Sequence, residues 1–134
     1  MKLRGKNINT LYKHYSEYNG PWTWEHFTPK EIACKHCGEM VLDAESMDAL
    51  EELRTLWGQA VVINSAHRCT AHNKAVGGSA NSQHLKIAFD CRCPADQQAA
   101  FANAARSAGF TGIGSYPGKA FVHVDTGPKR SWRG

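Results

Sequence analysis

Residues 120–125 read AFVHVD, and the way this run folds decides how the rest of the chain is read. Its β-branched and aromatic residues mark a strand. Successive side chains of a strand point to opposite faces, so His123 and Asp125 share one face while Val122 and Val124 share the other. Taken alone, such a pair fits an ordinary solvated strand face. It also fits a metal site, with one member binding the ion and the other reaching its water or orienting a ligand.

A second stretch weights that choice. Ser82 to Asp90 read SQHLKIAFD, a histidine and an aspartate around an apolar filling, just after the glycine-rich AVGGSAN. Catalytic zinc takes three protein ligands and leaves a position for water. His84 and Asp90 supply two candidates, and His123 is the natural third.

Further out, IAFDCRC reads as another strand, and so does the β-branched run in AVVINSAHR. Between them CTAHNKAVGGSANS reads as loop, its glycines allowing tight backbone. FTPKEIAC opens a short helix with Thr28 as N-cap, Pro29 in the first position and Glu31 completing a capping box. DAESMDALEELRTLWG is a longer helix after Asp43. It is closed by Gly58, with Met47, Leu50, Leu53 and Leu56 expected on one face. PADQQAAFANAARSAG is a helix opening at Pro94 and closing at Gly109. GIGSYPG is expected to be a glycine-rich turn before AFVHVD, with a basic tail behind. Helices and strands interleave without a steady βαβ rhythm, which indicates an α+β fold. Residues 1–24 read as an N-terminal arm and 25–134 as one domain. Trp22, Trp24 and Phe27 are expected to pack that arm onto the core.

At 134 residues the chain can bury a real core, and a mean hydropathy of −0.49 is that of a globular protein. No apolar run nears the roughly 18 residues of a membrane span. The basic start, MKLRGKNINTLYKHY, lacks the apolar core of a secretory signal. Sixteen Lys and Arg against twelve Asp and Glu give a net charge of +4, which suits a polyanion such as cell wall without requiring one. Nucleic acid is disfavoured because basic and aromatic residues do not interleave. An odd count of five cysteines argues against a secreted disulfide framework. Cys34 and Cys37 form a CxxC, the spacing of structural metal sites and redox pairs. Cys91 and Cys93 of CRC are the candidates to complete such a site, with ordinary buried thiols as the default.

Several motifs together resemble one family. INSAHRCTAHNKAVGGSANSQHLKIAFD is similar to SGYRxxxHNxxVGGxxxSxHxxGxAxD of the zinc D-Ala-D-Ala carboxypeptidases and related murein endopeptidases. GIGSYPGKAFVHVDTGPKRSWRG resembles their closing segment, GxGxYPxxxFVHVDTGxxRxW. The likeness spans most of residues 25–133 in the same order. It implies a hedgehog-like fold, a small antiparallel sheet with flanking helices, and one catalytic zinc on His84, Asp90 and His123. It further implies a substrate-holding Ser82 and an Arg68 that meets substrate or the developing oxyanion, a task that suits a permanently charged fork of donors. His72 and Asn73 match scaffold positions. The implied activity is amide hydrolysis in peptidoglycan stem peptides, as a carboxypeptidase or endopeptidase. A monomeric phage endolysin, made in the cytoplasm and released through a pore, is the expected setting, with a phage tail-associated or host murein hydrolase as alternatives. A non-catalytic wall-binding module of the same fold is the alternative.

Two departures stand out. Asp90 follows His84 by six positions, one fewer than in the pattern, and the glycine between them is missing. Losing one residue ahead of a strand inverts the facing of that strand's side chains, so either the loop absorbs the change or the site is damaged. Many relatives also carry an acid three residues before the last histidine, where this chain has Ala120. Asp125 is then the candidate general base or the orienter of a ligand, and Tyr116 is a candidate hydrogen-bonding group.

Overall fold

The computed structural model describes residues 9–69 and 87–134; His72, Asn73, Ser82 and His84 lie outside them. Among the described residues the main sheet contains five strands. In spatial order they are β3 (Ile63–Ser65), β4 (Phe89–Arg92), β6 (Phe121–Asp125), β5 (Gly112–Tyr116) and β7 (Arg130–Arg133). Neighbours run antiparallel except β5 and β7, which are parallel. A separate antiparallel pair joins β1 (Asn9–Tyr12) to β2 (Met40–Asp43). Among the described residues the α-helices are α1 (Pro29–Ile32), α2 (Ala44–Trp57) and α3 (Gln98–Ala108). The fold is α+β, as the interleaving of elements indicates. Among the described residues, no helix is long and apolar enough to cross a membrane.

Strand periodicity divides the sheet into two chemically different faces. Register pairs Phe89 and Ile113 with Val124, and Cys91 with Val122. All five are buried in the core with Met47, Leu50 and Leu53 of α2 and Phe101, Ala102 and Ala105 of α3. The alanines let α3 lie close to the sheet, and Trp57 of α2 meets Phe101 edge-on at 5.0 Å between ring centres. Each fully buried leucine contributes about 1.5–3 kcal/mol. The other face carries Asp90, His123, Asp125, Arg130 and Trp132.

The helix boundaries follow their signals. Thr28 and Glu31 form the reciprocal capping box, with bonds of 2.8 and 3.4 Å. Gly58 and Gly109 close α2 and α3 in the left-handed region, where a Cβ would be strained. Asp43 does not cap an α2 amide. Its Oδ2 accepts from Ser46 Oγ at 2.7 Å, and Ser46 Oγ lies 2.9 Å from Thr126 Oγ1, tying the start of α2 to the residue after β6. Trp24 and Phe27 are buried in the core, and Trp22 packs against it, its Nε1 donating to Phe27 O at 2.8 Å.

Two expectations are corrected. Leu56 is 47% exposed while Met47, Leu50 and Leu53 are wholly buried. Steps of three fall 60° short of a full turn on a helix of ~3.6 residues per turn, so by the fourth position the stripe has drifted to the far side. GIGSYPG is not a turn, because Gly112–Tyr116 is strand β5. Its glycines serve close approach: a Cβ on Gly112 would lie 2.2 Å from Asp125 Oδ1, and one on Gly114 2.2 Å from the Trp132 ring. The turn falls just after, at Pro117–Lys119.

This packing makes a direct prediction. Leu53→Ala should lose about 3 kcal/mol of unfolding free energy in urea titration, whereas Leu56→Ala should change it by less than about 0.5 kcal/mol.

Candidate functional site

Because β6 sits between β4 and β5, His123 has a register partner on either side. Asp90 is its register partner on β4, and Gly114 its partner on β5. His123 Nδ1 lies 3.1 Å from Asp90 Oδ1, and Nε2 lies 2.6 Å from Asp125 Oδ2. Each ring nitrogen therefore faces a carboxylate.

Asp125 is wholly buried. Its Oδ1 accepts the Gly127 amide at 2.9 Å, and its Oδ2 also accepts from Arg130 Nη2 at 3.3 Å. Burial opposes its ionisation, but the bonds to His123 and the Gly127 amide, with the Arg130 charge, outweigh burial and hold its pKa below the ordinary value. For His123, burial lowers the pKa, yet hydrogen bonding to Asp125 and Asp90 and their charges raise it above the ordinary value. This is a row of ionic groups in which every buried charge is compensated.

Arg130 and Trp132 were not singled out from sequence. Arg130 stacks over the Trp132 ring at 4.3 Å, a cation–π contact. The Trp132 ring lies 5.1 Å from that of His123. Trp132 Nε1 donates to Tyr116 Oη at 2.7 Å, and Tyr116 stacks on Phe121 at 4.4 Å. Tyr116 thus forms one wall together with Trp132. The available signal was the alternation in RSWR, which puts Arg130 and Trp132 on one face of an edge strand, and their place in the closing motif. His67 was also missed: it is buried, with Nε2 2.7 Å from Glu39 Oε1.

Of the expected metal ligands, Asp90 and His123 come together, while His84 and the substrate-holding Ser82 lie outside the described residues. The missing residue after His84 does not invert β4, because Asp90 faces His123 and Phe89 and Cys91 face the core. Arg68 is half-buried in the segment following β3. Ala120, the position at which the resemblance leads one to expect an acid, is exposed and left-handed at φ 56°. A separation of 3.1 Å between Nδ1 and Oδ1 suits two ligands of one tetrahedral zinc, whose bonds of ~2.0–2.1 Å place ligand atoms roughly 3.3 Å apart. The donor set present, one imidazole and one carboxylate, fits that ion.

The Peptidase M15 family matches residues 25–125, a span that begins before α1 and ends on Asp125. The chain belongs to the Peptidase M15 family. Over 84 residues this M15 chain is 41% identical to a Haemophilus influenzae protein named probable peptidoglycan L,D-endopeptidase MepK. The aligned part is 62% of this chain and 44% of that protein, so the chain spans less than half of the relative's length.

The His123 pairings set a pH dependence. A raised histidine pKa gives stability that is complete below the unfolded value near 6.5 and lost as pH rises through the folded value. A lowered aspartate pKa gives stability that is complete above 3.8 and lost as pH falls through the folded value. Urea titrations of the metal-free M15 chain should therefore show both contributions intact between those two pH values. Asp125→Asn should flatten the alkaline decline, and Asp125→Ala should cost about 3 kcal/mol within the window.

Proposed function

We propose that this M15 chain is a zinc-dependent hydrolase of amide bonds in peptidoglycan stem peptides. The observation that carries the proposal is the pairing of His123 Nδ1 with Asp90 Oδ1 on adjacent strands. Those are the two described members of the ligand set that the motifs imply, and His84 is assigned as the third. A zinc ion held there would supply Lewis acidity toward an amide carbonyl and toward water.

The remaining roles belong to the chain itself. Asp125 is assigned as a positioning residue that holds the His123 ring and keeps Nδ1 toward Asp90. Support comes from its burial and from oxygens already engaged by His123, Gly127 and Arg130. To act as the general base it would have to reach the site past the imidazole it binds. Arg68 is assigned to the charge that develops on the substrate oxygen, because a guanidinium stays charged and offers several donors. Ser82 is assigned to hold the substrate. Tyr116 and Trp132 supply a rigid aromatic wall against which a peptide can lie. The peptidoglycan substrate class is supported by the name of the Haemophilus influenzae relative.

A second reading is favoured by one observation. Exposed Ala120 stands where many relatives carry an acid, which suits a zinc-bearing module that binds wall peptide without cutting it. Release of new amines from purified peptidoglycan separates the two. Hydrolysis is expected and should be abolished in His123→Ala; zinc binding with no release would favour the module. Asp125→Asn should lower activity roughly 10–100-fold through metal affinity and recover with added zinc. A lost general base would not recover in that way.

A further inference from the structure

Away from the His123 face, α1 meets β2 through the sequence Cys34-Lys35-His36-Cys37-Gly38-Glu39. The thiol sulfurs of Cys34, Cys37 and Cys69 and a ring nitrogen of His36 all lie within 4.8 Å of one another. His36 Nδ1 is 3.6 Å from Cys69 Sγ. Tetrahedral sulfur ligands at bonds of ~2.3 Å sit roughly 3.8 Å apart, so only small adjustments would bring four donors onto one ion. We propose that Cys34, His36, Cys37 and Cys69 form a second, structural metal site that takes zinc as Cys3His.

The turn is built to hold such a group. Gly38 N donates to Cys34 O at 2.8 Å, Cys34 N donates to Glu39 O at 2.7 Å, and Tyr15 N donates to Gly38 O at 2.9 Å. Gly38 is left-handed at φ 82°, and a Cβ there would lie 2.4 Å from the His14 ring, so the loop admits little beyond glycine. Backbone amides converge on the Cys34 sulfur. Burial opposes its ionisation, but hydrogen bonds from the amides of Cys69, Cys37 and His36 and from the Cys69 thiol lower its pKa. Cys37 differs: the Glu39 amide favours its thiolate, yet burial and the sulfurs of Cys69 and Cys34 push it up to about 11. Binding zinc would release the remaining thiol protons to solvent.

The site departs from the sequence expectation in two of its ligands, since His36 reads from sequence as an ordinary surface or partly buried residue. Cys91 and Cys93 do not complete it, since both are buried in the sheet core. Cys69 does so instead, beside Arg68. The ion would cross-link the turn before β2 to the segment that carries Arg68, fixing a residue of the proposed peptidase site from outside it. The inference does not depend on the peptidase reading.

Titration of the reduced, metal-free chain with Co(II) tests it. The expected result is a near-ultraviolet thiolate-to-cobalt charge-transfer band, unchanged in His123→Ala and lost in Cys37→Ser. His36→Ala should weaken binding roughly tenfold or more, and His36→Cys should retain the band. Should Cys37→Ser fail to fold, the native chain still decides, because bound zinc is expected to slow alkylation of Cys37 and Cys69. Absence of the band, its loss in His123→Ala, alkylation unaffected by zinc, or a Cys34–Cys37 disulfide in the freshly purified chain would each overturn the site.

Discussion

A carboxylate buried at the centre of a sheet has to be compensated from every side, and Asp125 imposes that requirement on its neighbours. His123 takes one oxygen, the Gly127 amide takes the other, and Arg130 adds charge from β7. Gly112 is glycine because the carboxylate occupies the space of a side chain there. A buried, isolated charge would cost several kcal/mol, so the parallel pairing of β7 with β5, which brings Arg130 across, belongs to the same solution. The consequence is an imidazole whose ring plane and outward nitrogen are set before any ligand arrives. Metal sites depend on such preorganisation from groups behind the ligands.

The sheet separates stability from chemistry by strand parity. Val122 and Val124 close the core beneath α2 and α3, while His123 and Asp125 face the other way. A change on one face need not disturb the other, which is why a shortened approach to β4 can coexist with a correctly facing Asp90. The register with β6 is fixed by Phe89 and Cys91 entering the core. A slip by one residue would put the aspartate there instead and expose the phenylalanine.

Much of this was legible in the sequence where local rules act alone. The capping box at Thr28, the glycine stops at Gly58 and Gly109, and the facing of AFVHVD need only nearest neighbours along the chain. Three features read differently in the sequence. GIGSY looks like a turn because glycine loosens backbone, whereas the bulk of Asp125 and Trp132 on neighbouring strands demands glycine in a strand. Leu56 looks like core because a spacing of three imitates a helical stripe over a short span. Cys69 could not be paired with Cys34 and Cys37 because that contact joins the turn before β2 to the segment after β3. CRC offers two thiols side by side, but its parity sends Cys91 inward.

In the proposed arrangement Asp125 holds His123 so that Nδ1 and Asp90 present one metal-binding edge. A crystal structure of the zinc-loaded chain, with anomalous data at the zinc edge, tests this most directly. The expected result is a zinc peak within bonding distance of both His123 Nδ1 and Asp90 Oδ1, with Asp125 still on Nε2. A zinc bound through Nε2, or no zinc at His123 in a loaded chain, would contradict it.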